Sequence, residues 1–413
     1  MNNKKILIVT HQFLPHVSPR TTRWKMIIDD LIERGNQVTV LTGTPPDDSV
    51  KNYEVLYFGS KKISSTISSI RKDANNNDQN TAIKNFVYNS LKKVYRFLFK
   101  SFSWPDYAMF WAFTIYKNKK KIPKNYDFMF SVSLPFTSHL CGSILSKHSL
   151  DWIMDIGDPF SLKKDSPENN KFLYSFVNTY FEKKYYTKSK RIIFTHYESL
   201  LFHQEYFNID SEKLIVGHPI AKIDLNKISS SEKYNYSDLP IHIGYFGIFT
   251  VGIREPTTYL NSICKNLESD FHHHWYINNE SKKYFIPLLN NKQHTFYNLV
   301  PRTEAIDLMI NKMHILLSIG NTNNYQLPSK VIEYISLGKP VLHFAEISND
   351  PMYKFENLFN NLKIINRNTQ KEDLQKFLQN FQLQTVKLNI DNFENNFSSK
   401  TIIENVNSSL HDK

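Results

Sequence analysis

Apolar positions in this chain alternate between two spacings. Residues 5–10, Lys-Ile-Leu-Ile-Val-Thr, are an apolar run of strand length, the composition of a parallel strand buried on both faces. After a loop, residues 21–34 place Trp24, Ile27, Ile28 and Leu31 three and four apart, one face of a helix, and Gly35 stands where the helix stops. Residues 38–42 then return to strand composition. This β-loop-α-β opening predicts a parallel, doubly wound sheet with right-handed crossovers. Further strand runs at 128–132, 152–156, 191–195 and 214–216, with helical spacing between them, continue it.

Residues 225–240 are polar, rich in Ser, Lys and Asn, and end in Asp-Leu-Pro, which predicts a connection between domains. A second βα series follows. Strands are expected at 241–246, 274–277, 295–297, 315–318, 341–344 and 362–365. Helices are expected from Pro256, near Ser281, from Thr303, from Pro328 and over 371–381, with a last one over 404–410. The chain of 413 residues exceeds what one core usually serves. The predicted division is therefore 1–224 and 241–390, joined by 225–240, with 391–413 packing back on the first domain. Residues 61–100 are the least legible. Within them Ile83, Phe86, Val87, Leu91, Val94 and Phe97 line one helical face beside Lys92, Lys93, Arg96 and Lys100, a basic amphipathic pattern.

Composition narrows the class. Hydrophobic residues at 41% and charged residues at 22% describe a folded globular chain. No run of 18 uncharged apolar residues occurs, so no spanning helix is expected. The apolar start, four residues from Ile6 to Val9, is too short for a signal peptide and reads as a strand. Two cysteines, Cys141 and Cys264, give neither a disulfide nor a zinc framework and suit a reducing compartment, hence a cytoplasmic setting. The net charge of +12 is mostly lysine and comes without a nucleic-acid motif. No nucleic-acid partner is expected, whereas an anionic membrane surface is a candidate one.

The richest segment for chemistry is Gln326-Leu-Pro-Ser-Lys-Val-Ile-Glu333 through Gly338-Lys-Pro340. Pro328 suits the start of a helix, where its missing N–H costs nothing. The free N–H groups around Ser329, Lys330 and Val331 favour an anion, and Lys330 adds a full charge. Glu333 could accept hydrogen bonds from the vicinal hydroxyls of a ribose. Gly244 lies in the predicted strand 241–246, and Gly247 and Gly252 follow it and lead to Arg254, whose planar fork can hold two phosphate oxygens. In the amino-terminal half, His11 and Arg20 follow the first strand, Ser18 can cap the first helix, and Asp155 and Asp158 end another strand. These two carboxylates suit either sugar hydroxyls or a turn.

These segments resemble the retaining glycosyltransferases of the GT-B fold, family 4, in particular those building bacterial surface polysaccharides. Leu327-Pro328-Ser329-Lys330 through Gly338-Lys339-Pro340-Val341 carries the resemblance most closely, with Gly252-Ile-Arg254, Val9-Thr-His-Gln-Phe-Leu-Pro15 and Asp155-Ile-Gly-Asp158-Pro159 in support. The resemblance implies an α/β chain with two facing Rossmann-like domains and a cleft between them, acceptor domain first and donor domain second. It implies a nucleoside-diphosphate sugar as co-substrate, no permanently bound cofactor and no metal requirement. Expected donor contacts are Gly247, Arg254, Tyr325, Gln326, Leu327, Pro328, Ser329, Lys330 and Glu333, with Arg254 and Lys330 carrying the catalytic charge. Expected acceptor or sugar contacts are His11, Arg20, Asp155 and Asp158. The acceptor is expected to be a glycan or lipid-linked glycan, met peripherally at the cytoplasmic face of the inner membrane. One departure stands out: Tyr325 occupies the place of the first glutamate of the family's pair, with Gln326 beside it. A same-fold epimerase and a non-catalytic sugar-nucleotide or polyanion binder remain the alternatives.

Overall fold

The computed structural model describes residues 1–46, 52–59, 100–146, 150–163, 167–224, 240–264, 271–374, 376–377 and 388–411. By internal packing these form two units, Met1–Gly217 with Ile402–Lys413, and His218–Thr401.

In unit 1 the apolar runs become seven parallel strands: β1 Lys5–Thr10, β2 Gln37–Thr42, β3 Glu54–Tyr57, β4 Phe128–Val132, β5 Asp151–Ile156, β6 Arg191–Phe194 and β7 Leu214–Val216. Their order is β3-β2-β1-β4-β5-β6-β7. The helices are α1 Pro19–Glu33, α2 Met109–Asn118, α3 Thr137–Leu145, α4 Lys171–Lys188 and α5 Tyr197–Phe207. Ser18 caps α1, its Oγ accepting the Thr21 N–H at 3.1 Å, and Pro19 opens the helix. Because β4 to β7 advance in one direction, right-handed crossovers put α3, α4 and α5 on one face of the sheet. One core there joins Trp111 of α2, Cys141 of α3, Tyr185 of α4 and Phe207 of α5 to Met129, Trp152 and Ile192 of the strands.

Unit 2 repeats the plan with β8 Ile241–Phe246, β9 Phe271–Tyr276, β10 His294–Tyr297, β11 Ile315–Ile319, β12 Val341–Phe344 and β13 Leu362–Ile365. All pair in parallel in the order β10-β9-β8-β11-β12-β13. In local numbering this is the 3-2-1-4-5-6 order of a dinucleotide-type fold, so its switch point lies between β8 and β11. Its helices are α6 Thr257–Ser262, α7 Arg302–Asn311, α8 Ser329–Ser336 and α9 Ile390–Phe397. The last helix, α10 Ser399–His411, passes into unit 1, where Ile402, Ile403 and Val406 are buried.

Several details depart from the sequence reading. β3 was not anticipated, β9 begins at Phe271 rather than at 274, and the helix expected near Ser281 is a 3-10 helix over Asn279–Leu288. The basic amphipathic pattern at 83–97, most of the connection at 225–240 and part of the helix expected at 371–381 lie outside the described residues. Among the described residues no helix is long and apolar enough to cross a membrane.

Candidate functional site

The switch point of unit 2 gathers the residues the sequence singled out. β8 ends at Phe246 and is followed by Gly247; β11 ends at Ile319 and is followed by Gly320 and Asn321. Between β8 and α6, Arg254 sits on a loop closed by reciprocal Thr250 and Arg254 backbone hydrogen bonds of 2.9 Å. Gly252 takes φ +75°, a conformation that any other residue would strain to adopt. Thr322 stitches this loop to the exit of β11, its N–H donating to Ile253 O at 2.8 Å and its hydroxyl to Gly252 O at 2.7 Å. Arg254 is thereby held with Nε and Nη2 both donating to Asn321 Oδ1, at 3.1 and 2.8 Å.

Pro328, at φ −65° and ψ 111°, delivers the chain into α8, leaving the first-turn N–H groups without helical acceptors. From that turn Lys330 reaches back across the end of β8, and its ammonium donates to Phe246 O. Gly247 makes this possible, because a Cβ there would stand where the Lys330 ammonium lies. Burial, and then the nearby Arg254 charge, lower the Lys330 pKa to about 8. Two cations and a helix N-terminus therefore share one end of the sheet. Groups crowded together like this gain when an anion arrives to offset them.

Glu333, one turn along α8, is already paired. Its Oε1 accepts from Arg302 Nε at 2.9 Å and Nη2 at 2.6 Å. Arg302, half exposed at the start of α7, and Asn321 are the site residues that sequence reasoning missed. Both act across long sequence separations that no local pattern records. Of the remaining expected donor residues, Tyr325 and Gln326 are partly buried, Leu327 and Pro328 are buried and Ser329 is exposed. The Gln326 carbonyl accepts from Asn321 Nδ2 at 3.3 Å.

In unit 1 the four expected residues separate into different roles. Arg20 Nη1 donates to Leu134 O at 2.5 Å and its Nη2 lies 4.0 Å from Asp158, both side chains being partly exposed. His11 packs edge-on to Tyr107 and Trp111, with ring centroids 5.6 and 5.2 Å away. Burial, and then the neighbouring His16, lower the His11 pKa to about 4, so its ring is neutral at pH 7. Asp155 is a different case. It is enclosed, with Arg23 Nη1 donating to its two oxygens at 2.9 and 2.7 Å and Trp24 Nε1 to Oδ2 at 2.7 Å. Its carboxylate braces β5 against α1, which leaves Asp158 as the accessible acid of that pair.

A separate cluster in unit 2 brings Cys264, His273 and His294 together, all buried. Cys264 Sγ lies 3.9 Å from His273 Nε2 and 3.8 Å from His294 Nε2. Trp275 Nε1 donates to His294 Nδ1 at 3.1 Å, which places the proton of the neutral ring on Nε2, the atom facing the thiol. Tyr259 Oη is 2.8 Å from His273 Nε2. A cation would have to displace that proton and compete with that hydroxyl, so the group reads as a hydrogen-bonded core.

No family model and no curated protein matches the chain. Solved structures do. HepE from Anabaena, determined with UDP and glucose, has a TM-score of 0.58 at 11% identity, covering 100% of both chains. WaaG, a glycosyltransferase involved in lipopolysaccharide biosynthesis, gives 0.52 at 13% identity over 97% of this chain and 95% of that one. The fold is of the GT-B type. A putative UDP-N-acetylglucosamine 2-epimerase from Listeria monocytogenes gives a TM-score of 0.50 at 11% identity over 100% of this chain and 98% of that one.

Proposed function

We propose that the chain binds a nucleoside-diphosphate sugar at the switch point of unit 2 and transfers the sugar, with retention, to a hydroxyl of a glycan or lipid-linked glycan in surface polysaccharide synthesis. The observation that supports this best is the convergence of Arg254 and Lys330 on the N-terminus of α8. As the glycosidic bond breaks, charge grows on the departing diphosphate, and fixed cations lower the barrier where that charge develops. Glu333 would take the ribose and exchange its Arg302 contact for the two hydroxyls. Arg20, Asp158 and His11 of unit 1 are proposed to meet the acceptor. The two cations and the helix N-terminus supply the charge that a divalent ion would otherwise bring, so activity is expected to persist in EDTA. The fold likeness to WaaG, a glycosyltransferase, and to HepE, determined with UDP and glucose, supports a reading as a sugar-nucleotide enzyme; a cytoplasmic setting is part of the proposal.

Thermal-shift titration with UDP, GDP and ADP and their sugars tests the binding step, because a ligand of the native state raises apparent stability. At least one diphosphate should raise the melting temperature of the wild type and not of Arg254→Ala or Lys330→Ala. No stabilisation by any of them would end the reading. The epimerase fold likeness, and a tyrosine where the family has its first glutamate, favour one rival: an enzyme that alters the donor sugar without an acceptor. Incubation with donor alone separates the two, since only the rival yields a sugar of altered configuration under those conditions.

A further inference from the structure

Among the described residues every exposed phenylalanine and tyrosine lies in unit 1; the exposed large apolar residues of unit 2 are aliphatic. The aromatic ones are not scattered. On α2, Phe110, Phe113 and Tyr116 recur at helical spacing with 61%, 57% and 54% of their surface exposed. On α4, Phe172, Phe176 and Tyr180 recur four apart at 94%, 82% and 52%. The inner sides of both helices enter the same core, so their outer sides belong to one helical layer on one face of the sheet. Residues 101–104, which lead toward α2, pack on α4: Tyr174 Oη donates to Ser101 O at 2.7 Å, and the Trp104 ring lies 4.7 Å from that of Phe181. An apolar face of this extent on a folded unit marks an interaction surface.

Its charge indicates the partner. Lys117 sits 4.3 Å over the Phe113 ring, Lys119 lies 4.1 Å over Tyr116, and Lys183 and Lys184 are exposed beside Tyr180. α2 contains no acidic residue. The one acid of α4, Glu182, is buried, its Oε2 accepting the Ser161 N–H at 3.0 Å and its Oε1 the Tyr186 hydroxyl at 2.7 Å. Protein interfaces are depleted in lysine, and a second copy of this chain would set lysine against lysine. A bilayer surface has the complementary chemistry: rings at headgroup depth, with ammonium tips reaching up to lipid phosphates.

We propose that the outer face of α2 and α4 docks unit 1 on an anionic lipid bilayer. The contact is independent of the donor reading and uses none of its residues. The test is flotation of the full chain with phosphatidylcholine vesicles, with and without phosphatidylglycerol. The protein should bind the anionic vesicles selectively and release at high salt. Phe172→Ser with Phe176→Ser, and separately Lys183→Glu with Lys184→Glu, should each weaken binding roughly tenfold or more. Both variants should keep the wild-type melting temperature, mass in solution and response to nucleoside diphosphates. Equal binding to neutral vesicles, or binding unchanged by either variant, overturns the proposal. So does a fall of several degrees in melting temperature or a change from dimer to monomer in the serine variant, since either would mean that protein covers this face.

Discussion

At the scale of single residues, the proposed donor site depends on one ammonium lying where a glycine leaves room. Gly247→Ala puts a methyl group in the place of the Lys330 ammonium, and the flexible lysine, not the backbone, has to move. Nucleoside-diphosphate affinity should fall by roughly tenfold or more, the loss of one charge-assisted contact, with little change in melting temperature. A titration of the purified variant checks both. Lys330 also sets a pH dependence. Without ligand, burial and then the Arg254 charge lower its pKa to about 8. A bound diphosphate favours the charged form and raises that value, so binding above pH 8 takes up a proton, and affinity should fall as pH rises, by up to about tenfold per unit. Calorimetry from pH 7 to 9.5 would show it, and Lys330→Met should abolish the slope. Glu333 gives a contrasting pair. Glu333→Gln should lose affinity through the ribose, whereas Arg302→Ala should leave it equal or higher, because the competitor for the carboxylate is gone. The sequence made Lys330 and Glu333 legible because proline, lysine and glutamate lie within six consecutive residues. Arg302 and Asn321 could not be read there, since their partners are 31 and 67 residues away.

At the scale of elements, parallel strands were readable where both faces are buried. β4, β8 and β12, each paired on both sides, match the apolar runs end to end because burial on two faces demands continuous hydrophobicity. β3 escaped notice because an edge strand needs less: Glu54–Tyr57 is only half buried and pairs on one side. The start of β9 escaped for another reason. His272, His273 and His274 look polar, yet in the strand they alternate, His273 stacking inward on Trp275 while His272 and His274 sit beside His242 on the other face. The brace between α1 and β5 was not legible in the sequence, where Asp155 suited either sugar hydroxyls or a turn. Burial of an arginine–carboxylate pair makes its loss costly: Asp155→Asn leaves Arg23 charged and unpaired, and should cost on the order of 3 kcal/mol of unit 1 stability. Urea unfolding followed by tryptophan fluorescence checks this, since Trp24 sits on the same carboxylate. Asp158→Asn, at a partly exposed contact, should cost well under about 1 kcal/mol.

At the scale of the whole molecule, the two sheets have separate cores, but the chain does not finish where its second core does. α10 carries it from unit 2 to unit 1, where the terminal amino group of Met1 donates to Asn407 Oδ1 at 2.9 Å and Arg34 pairs with Glu404 at 3.5 Å. Ile402 and Val406, one turn apart, are buried at 4% and 1% exposure. Ile402→Ala with Val406→Ala removes two side chains from that contact, at a cost of about 3 kcal/mol or more, the range for large-to-small changes in a packed core. If the units are energetically distinct, the cost falls on one of them. Hydrogen exchange should quicken in the segments that touch α10, at Met1, at the end of α1 beside Arg34 and in β6 at Arg191, while β8, β11 and α8 keep their protection and diphosphate binding its affinity. Equal loss of protection in both sheets would mean that the chain unfolds as one cooperative body, and the stability of the donor site would then depend on a helix packed against the other unit.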